Sequence, residues 1–531
     1  MSLTKKISIT RLVIIVSGFI TITCNYKFFA EVIKIYPFQE NSLFVVSLLF
    51  WLFAFLSVAL LLVCYKPTTK FILISLLLSS SVISYFTNNY GIVFDDNMIA
   101  NIFVTNLDES IDLLSLKMLF YFIFLGLMPS IFVYKADIFQ TSLNQQLWLK
   151  VRAIILLTVL FVAITYVFSK SYTSLMREYK QLRLFINPSY YVYALGKHVS
   201  SQFNTMSTPF NKIGEDAVIN RSSKENKLII VVAGETARAD RFTFNGYKRP
   251  TNPLLSKQNI INFSQMQSCG TDTAISIPCM FSKFTREDYS NEQGKNTSNL
   301  LDILTYANVQ VLWRDNNSSS KGVADRVEFE DYRSTDRNMV CDIECRDEGM
   351  LYDLQDYIDK NKGKDIVVVL HTMGSHGPAY YKRYPKSFEK FTPVCETNQF
   401  SECTDSQINN SYDNTIIYTD YFLNSTIELL KRNQSSFDTA MFYMSDHGES
   451  LGEGGLYLHG MPYFIAPKEQ THVASMIWFD DDFSKEVNID RLKNIANTEL
   501  SHDSLFHVIL GLMNVKSDVY DKRLDFIPYV K

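Results

Sequence analysis

The chain has 531 residues, of which 47% are hydrophobic, with 39 Phe and 30 Tyr. This length is too great for one ordinary hydrophobic core, and the apolar content is high for a chain that is soluble throughout, so two regions of different character are expected. A net charge of -4 excludes the broad positive field with which proteins hold a nucleic-acid backbone, and no nucleic-acid partner is expected.

Long apolar runs with almost no charge fill the first third of the chain. Each is close to the ~20 residues that a helix needs to cross a bilayer. The first run follows three basic residues and could be a secretory signal, but no small-residue cleavage site comes after it and four more runs do. We expect five retained transmembrane helices, at 12–30, 43–64, 70–86, 117–134 and 151–169.

The loops between these runs differ in charge. Basic residues flank one side, whereas the stretches 30–41 and 87–115 are acidic. The positive-inside rule therefore places the N-terminus in the cytoplasm, and an odd number of spans exports everything after Ser169. The predicted division is a membrane domain over 1–169 with an outer loop at 87–115, a bridging segment over 170–225 and an exported domain over 226–531. In the bridge, "SYTSLMREYKQLRLF" predicts an amphipathic helix near the membrane surface, and a plain linker helix is an equal alternative.

Six of the eight cysteines lie in the exported part, as close pairs. Six cysteines allow fifteen connectivities, which the sequence cannot resolve, but pairing of neighbours suits an oxidising compartment. A cysteine-rich zinc site is the alternative, and it is disfavoured because no CxxC unit occurs. The pairs are Cys269 with Cys279, Cys341 with Cys345, and Cys395 with Cys403.

From residue 227 onward, short β-branched apolar runs alternate with amphipathic helical stretches. The runs are "KLIIVVAGET", "VQVLWRD", "DIVVVLHTMGSHG" and "TAMFYMSDHGE". This alternation predicts an α/β/α domain with a mainly parallel, buried sheet. Ligands bind at the carboxyl ends of such strands, and each run ends in polar residues.

Two carboxylates and an imidazole follow two of these strands. Glu235, Asp446 and His447 would meet at one sheet edge, and this donor set suits a divalent ion such as zinc. Gly448 would permit the backbone to turn there. Taken singly, each of these residues is more often a helix cap or a surface group, so the interpretation as a metal site depends on all three together.

The segment "SCGTDTAISIPC" offers hydroxyls that a metal could activate. Thr271, Thr273 and Ser276 lie between two cysteines, where a metal-bound hydroxyl would lose its proton and become a nucleophile. A hydroxyl-rich helix N-terminus is the alternative.

Further charged groups occur in glycine-containing loops. His376 and His459 each precede glycine, as His447 does, and they could hold a second metal or stabilise a phosphoryl group. Lys321 in "RDNNSSSKG" could supply a cation for the same purpose, and a solvated loop lysine is the alternative.

These motifs resemble the lipid A phosphoethanolamine transferases of Gram-negative inner membranes, which belong to the alkaline-phosphatase/sulfatase superfamily. The similarity covers essentially the whole chain, and it is carried by "AGETARADRFTFNGYKRPTNP", "SCGTDTAISIPCMFS", "RDNNSSSKG", "HTMGSHGP" and "SDHGESLGE". It implies a monomer with a periplasmic catalytic domain. It also implies a zinc-dependent phosphotransferase that moves phosphoethanolamine from phosphatidylethanolamine to a lipid A phosphate and so promotes polymyxin resistance.

The resemblance also assigns individual residues. It implies one tightly bound zinc and Thr273 as the nucleophile, with room for a second, weaker zinc. The implied zinc ligands are Glu235, Thr273, Asp446 and His447; the groups for the phosphate or second zinc are Lys321, His376 and His459; those for the ethanolamine head group are Asn101, Thr105 and Glu109. Asp272 stands where the family pattern leads us to expect a small polar residue.

Some alternatives stay open. Sulfate esters are disfavoured, because Cys279 and Met280 follow Pro278 without the Cys/Ser-x-Pro-x-Arg context of sulfatases. A phosphoglycerol transferase, a phosphodiesterase or a transferase for another glycan acceptor would share the metal motifs. A non-catalytic scaffold would tolerate loss of the metal residues.

Overall fold

The computed structural model describes residues 6–104, 110–111, 113–139, 142–207, 209–220 and 225–530. The chain divides into two compact units. The first comprises Met1–Ile99 and Leu114–His198, and the second comprises Ala100–Leu113 and Val199–Lys531. The three-part division expected from the sequence stays a prediction.

The described part of the chain up to residue 207 is mainly helical. Apolar side chains pack between its helices, while many other apolar side chains are exposed. The helices are α1 Ile9–Thr23, α2 Tyr26–Ile35, α3 Phe38–Val63, α4 Thr69–Tyr90, α5 Asp96–Val104, α6 Leu116–Tyr121, the π-helical turn Phe122–Leu127, α7 Met128–Lys135, α8 Leu143–Val167, α9 Ser169–Glu178, the 3-10 helix Lys180–Phe185 and α10 Ser189–Ser207.

Among the described residues, four stretches are long and apolar enough to cross a membrane. The pair α1 and α2 adds a fifth only if the two form one span, because they are bent by 54°. The prediction of five apolar segments therefore holds for this bent pair plus four helices. The four stretches are Phe38–Val63, Thr69–Tyr90, Leu116–Lys135 and Asn144–Val167.

The bend between α1 and α2 has a physical cause in Asn25. Its Nδ2 donates to the Ile20 carbonyl at 3.1 Å and to the Asn187 carbonyl at 2.9 Å, and its Oδ1 accepts from the Asn187 amide at 2.9 Å. A buried amide that binds backbone groups in this way interrupts the helix. The continuous helix expected over 12–30 is therefore wrong.

In the described chain, the second unit is built on a seven-stranded sheet. Its strands are β2 Asn226–Gly234, β3 Ile260–Asn262, β5 Gln310–Asp315, β6 Glu328–Asp331, β7 Ile366–His371, β8 Phe437–Ser445 and β12 Ser475–Phe479. Their order across the sheet is β3-β12-β8-β2-β7-β5-β6. The strands from β8 to β6 are parallel, and β12 and β3 add an antiparallel edge. All four strands expected from the apolar runs are present as neighbours in this sheet, which confirms the mainly parallel arrangement.

Shorter strands and helices surround this sheet. The remaining strands are β1 Val218–Ile219, β4 Met266–Gln267, β9 Ser450–Leu451, β10 Tyr457–Leu458, β11 His472–Val473, β13 Leu500–Ser501 and β14 Val515–Lys516. The helices are α11 Thr273–Met280, α12 Asn291–Lys295, α13 Leu300–Tyr306, α14 Leu354–Lys360, α15 Asp405–Lys431, α16 Lys468–Thr471, α17 Ile489–Ile495 and α18 Leu505–Leu512.

The central strands are buried on both faces. In β2, Ile229, Val231 and Ala233 belong to a core cluster that includes residues of α13 and α18. The alternate residues Leu228 and Ile230 are equally buried but lie outside that cluster. Side chains alternate across a strand, so helices cover the sheet on each side and the α/β/α expectation is confirmed.

The described chain forms three disulfides in this unit, Cys269–Cys279, Cys341–Cys345 and Cys395–Cys403. Each joins the neighbouring cysteines of the sequence. Cys24 and Cys64 are free and buried in the helical unit.

Candidate active site

The register of the sheet brings two acidic residues to the same level. β2 and β8 are parallel, with Gly234 opposite Ser445, so Glu235 and Asp446 each follow this last pair by one position. His447 comes directly after Asp446. The three residues are buried at the carboxyl edge of the sheet, where α/β folds place their ligands.

These side chains surround the hydroxyl of Thr273. Thr273 Oγ1 lies 3.0 Å from Glu235 Oε2 and 3.3 Å from His447 Nε2. His447 Nε2 lies 3.4 Å from Glu235 Oε1 and 3.4 Å from Asp446 Oδ2. The structure thus places in one cluster the four residues that the sequence nominated as zinc ligands.

Each carboxylate in this cluster has one oxygen occupied and one without a partner. Glu235 Oε2 accepts from Thr273 and from Asn317 Nδ2 at 2.8 Å, and Asp446 Oδ1 accepts from the amides of Thr236 and His447. Within the described chain, Glu235 Oε1 and Asp446 Oδ2 are buried without a hydrogen-bond partner. A buried carboxylate oxygen without a partner is unfavourable, and a cation would satisfy both.

The tautomer of His447 also suits a metal ion. Its Nδ1 lies 2.9 Å from the Gly448 carbonyl, which can only accept, so the proton is on Nδ1. The Nε2 lone pair then faces the two carboxylates and Thr273. The residues present therefore fit a divalent cation with mixed nitrogen and oxygen ligands.

The electrostatics of the cluster support the same reading. Burial, followed by the negative charge of Glu235, raises the pKa of Asp446 well above its usual range. Burial would also raise the pKa of Glu235, but the positive charge of neighbouring histidines such as His459 holds it lower than usual. Burial lowers the pKa of His447 to about 3, so this imidazole is neutral at physiological pH, as a metal ligand must be.

Thr273 is held at the first position of α11. Asp272 caps this helix and accepts from the Ile275 amide at 3.1 Å. The disulfide Cys269–Cys279 ties the helix to the chain before it. A hydroxyl at a helix N-terminus benefits from the helix dipole if it becomes negatively charged.

A second cluster adjoins the first. His459 Nδ1 lies 2.7 Å from Glu449 Oε2, and Tyr380 donates to the other oxygen of Glu449 at 2.6 Å. The ring centroid of His459 lies 4.4 Å from that of His447 and 5.6 Å from that of His376. Burial disfavours the charged form of His459, but the negative charges of Glu449, Glu235 and Asp272 together outweigh it and raise the pKa to about 9. His459 is therefore a cation at neutral pH.

The loop after β5 passes between the site and two cavities. Asn317 reaches Glu235, and Lys321 donates from Nζ to Ser318 Oγ at 2.6 Å. One cavity, of about 500 Å³, is lined by Asn317, Ser318 and His376 among others. The other, of about 710 Å³, is lined by Lys321 and by Ala274 of α11 among others. The structure thus brings Lys321 and His376 to cavities beside the cluster.

Of the residues expected at the head group, the structure describes Asn101, whose side chain hydrogen-bonds to Asp272. Thr105 and Glu109 lie outside the described residues.

The role expected of Gly448 needs correction. Its φ is not among the positive values of the chain, but an added Cβ would lie 2.1 Å from the Glu469 carbonyl oxygen. Glycine is needed there because another backbone approaches closely. At the end of the neighbouring strand β2, Thr236 has a positive φ of 49° directly after Glu235.

Sequence reasoning missed Glu449 and Asn317. Glu449 is a buried acid two residues after His447 in "SDHGESLGE", which was a usable signal. Asn317 is one of two adjacent asparagines, and nothing in the sequence shows which one faces the site.

Comparisons with known proteins agree with this arrangement. The sulfatase family model matches residues 227–515, so the second unit is a sulfatase-like domain. The family model for phosphoethanolamine transferase EptA/EptB matches residues 52–203.

Relatives that match over nearly their full length identify the family to which the chain belongs. The chain is 40% identical to phosphatidylethanolamine transferase Mcr-1 of Escherichia coli, over 98% of both chains. It is 39% identical to phosphoethanolamine transferase EptA of E. coli K12, over 96% of this chain and 94% of the relative. The chain belongs to the phosphoethanolamine transferase family.

A solved structure matches nearly the whole chain. The integral membrane lipooligosaccharide phosphoethanolamine transferase A of Neisseria meningitidis superposes with a TM-score of 0.95 at 33% identity. The match covers 98% of this chain and 99% of that one.

Proposed function

We propose that this protein transfers phosphoethanolamine from phosphatidylethanolamine to a phosphate of lipid A, through a covalent intermediate on Thr273. The observation that carries the proposal is the meeting of Thr273 with Glu235, Asp446 and His447, in a chain whose full-length relatives are phosphoethanolamine transferases.

The residues that would hold zinc are Glu235, Thr273, Asp446 and His447. Two carboxylates, a neutral imidazole and a hydroxyl form a donor set that zinc accepts. When bound, zinc lowers the pKa of a coordinated hydroxyl and offsets negative charge on a phosphoryl group. The orphaned oxygens of Glu235 and Asp446 support this assignment.

In the first half-reaction, Thr273 Oγ1 forms a bond to phosphorus while the bond from phosphorus to the diacylglycerol oxygen breaks. Diacylglycerol leaves with a proton. The hydroxyl proton of Thr273 has an acceptor in reach at Glu235 Oε2, 3.0 Å away, whereas the Nε2 of His447 is assigned to the zinc. Glu235 is fixed by the sheet, so little reorganisation is needed.

In the second half-reaction, an oxygen of an acceptor phosphate bonds to phosphorus and the bond to Thr273 Oγ1 breaks. The threonine regains its proton. His459 carries a positive charge at neutral pH because the carboxylates around it, led by Glu449, raise its pKa to about 9. Together with Lys321 and His376, it would stabilise the phosphoryl oxygens. A second, weaker zinc would bind to this group only after His459 has lost its proton.

The head group would be recognised by Asn101, Thr105 and Glu109. An acid, a hydroxyl and an amide suit an ammonium group with its neighbouring phosphate. We further propose an inner-membrane monomer with a cytoplasmic N-terminus and a periplasmic catalytic unit. Adding phosphoethanolamine to a lipid A phosphate introduces an ammonium cation and so lowers the negative surface charge, which would weaken the attraction of polymyxin and other cationic peptides.

The proposal is tested by trapping the intermediate. Full-length enzyme in detergent is incubated with phosphatidylethanolamine and no acceptor, and the peptide that contains Thr273 is weighed by mass spectrometry. A gain of one phosphoethanolamine group is expected, and Thr273→Ala should show none. A phosphoglycerol adduct would point to the related transferase, and an unmodified peptide during continued transfer would refute the covalent mechanism.

The acceptor needs a separate measurement. Lipid A from cells with and without the gene should differ by the mass of one phosphoethanolamine group. An unchanged lipid A with a modified glycan would move the activity to another acceptor.

A further inference from the structure

Asp272 is a buried carboxylate that the proposed reaction does not use. It is 3% exposed and directly precedes Thr273. One oxygen, Oδ1, accepts from the Ile275 amide at 3.1 Å and so begins α11. A serine or threonine could perform this capping equally well, so capping alone gives no reason for an acid.

The second partner of Asp272 explains the acid. The side chain of Asn101 hydrogen-bonds to the Asp272 carboxylate. Asn101 lies in the second half of α5 and belongs to the second unit, whereas the start of that helix belongs to the first. One carboxylate therefore holds both the start of the Thr273 helix and a side chain from a distant segment.

We propose that Asp272 is a positioning residue that fixes Asn101 relative to Thr273, and that it thereby contributes to recognition of the phosphoethanolamine head group. This inference rests on the proposed function, in which Asn101 contacts the donor. A free asparagine side chain would lose rotamer freedom when the donor binds, and Asp272 removes that loss in advance. The shared carboxylate also sets the distance between the head-group contact and the attacking oxygen.

The test is a double-mutant cycle in full-length enzyme, measured as adduct formation on Thr273 against phosphatidylethanolamine concentration in mixed micelles. Asp272→Ser keeps the helix cap but is too short to reach Asn101. Asp272→Asn keeps the cap through its oxygen and can pair with Asn101 through its amide. Asn101→Ala removes the partner, and the fourth member combines Asp272→Ser with Asn101→Ala.

We expect Asp272→Ser to raise the donor KM by about ten-fold, and Asn101→Ala to raise it at least as much, because that change also removes the donor contact itself. The zinc content should change far less, because both changes leave the zinc ligands in place. The double variant should show no more than the effect of Asn101→Ala alone, since Asp272 acts on the donor only through Asn101. Asp272→Asn should recover most of the affinity lost in Asp272→Ser.

Two results would overturn the inference while leaving the proposed function intact. One is a double variant in which the effects of the two single changes multiply. The other is an Asp272→Asn enzyme as impaired as Asp272→Ser. If the unmodified enzyme forms no adduct on Thr273, the proposed function fails, and the inference fails with it.

Discussion

The two units of this molecule both bury polar atoms without hydrogen-bond partners, but the chemistry of those atoms differs. In the described helical unit they are neutral, for example the hydroxyls of Ser17 and Ser57. At the sheet edge they include Glu235 Oε1 and Asp446 Oδ2, which belong to ionisable carboxylates. An unpaired buried hydroxyl costs far less than an unpaired buried charge, which demands a counter-ion. The unpaired carboxylate oxygens therefore mark the candidate metal site, whereas the unpaired hydroxyls do not.

The largest effect should follow from removing a charged oxygen at the sheet edge. Asp446→Asn replaces Oδ2 or Oδ1 with an amide, so we expect loss of bound metal and a fall in transfer of about a thousand-fold or more. Thr273→Ala should abolish transfer but retain metal on the other three ligands. Metal content by elemental analysis, together with transfer rate, distinguishes them. Full metal occupancy in Asp446→Asn would contradict the conclusion that the unpaired carboxylate oxygens mark a metal site.

A smaller effect should follow from removing a side chain that orients the carboxylate. Asn317 donates to Glu235 Oε2 at 2.8 Å, which leaves Oε1 directed at the cation site. Asn317→Ala should weaken metal affinity by roughly 10–100-fold, the range for groups that orient metal ligands. Competition with a chelator of known affinity measures the metal affinity of both enzymes.

Asn316→Ala is the matched control for that experiment. Asn316 is the neighbouring buried asparagine, and its amide contacts the Cys345 carbonyl and Asp347 instead of Glu235. Its loss should leave metal affinity within about two-fold of the unmodified enzyme. Equal loss in both variants would mean that Asn317 acts only through loop stability.

In the helical unit, stability should respond to paired polar groups and not to unpaired ones. Asn25→Ala breaks the contacts with Ile20 and Asn187 and should lower stability by about 2 kcal/mol. Ser57→Ala removes an unpartnered hydroxyl and should stay within about 0.5 kcal/mol. Thermal unfolding in detergent checks both. Metal content should not change in either variant, and a change there would contradict the separation of the units.

The smallest effect concerns Asp420, a buried carboxylate with both oxygens satisfied. It accepts from the amides of Leu254 and Leu255 at 2.9 and 3.0 Å, and burial raises its pKa to about 6. The folded-state pKa lies above the unfolded value, so the stabilisation is complete at low pH and is lost as the pH rises through about 6.

Between pH 5 and 7 this residue alone should lower the free energy of unfolding by about 1 kcal/mol. Comparing Asp420→Asn with the unmodified protein across that range isolates the effect, because the variant cannot titrate. Parallel pH profiles for the two proteins would show that a satisfied carboxylate carries no such penalty.

Much of the second unit could be predicted from its sequence, because local patterns carry the information. The apolar runs before Glu235 and Asp446 end where β2 and β8 end, since polar residues terminate a buried strand. The bend at Asn25 could not be predicted, because its cause is Asn187, far along the chain. The need for glycine at 448 likewise depends on the distant carbonyl of Glu469.

The antiparallel edge of the sheet also could not be predicted from the sequence. β3 spans only Ile260–Asn262, which is too short for a periodic pattern. Asn317 was missed for another reason: Asn316 and Asn317 have the same side chain, and only the backbone path after β5 decides which one meets Glu235.

The pairing of Gly234 with Ser445 limits which changes of chain length the protein can tolerate. A residue inserted into or deleted from β2 or β8 would shift one carboxylate by about 3.3 Å along its strand and turn it to the opposite face. Exchanges among Val, Ile and Leu in the same strands would leave both carboxylates in place. The number of residues in β2 and β8 is therefore fixed more tightly than the identity of those residues, because the number sets where the metal-binding side chains lie.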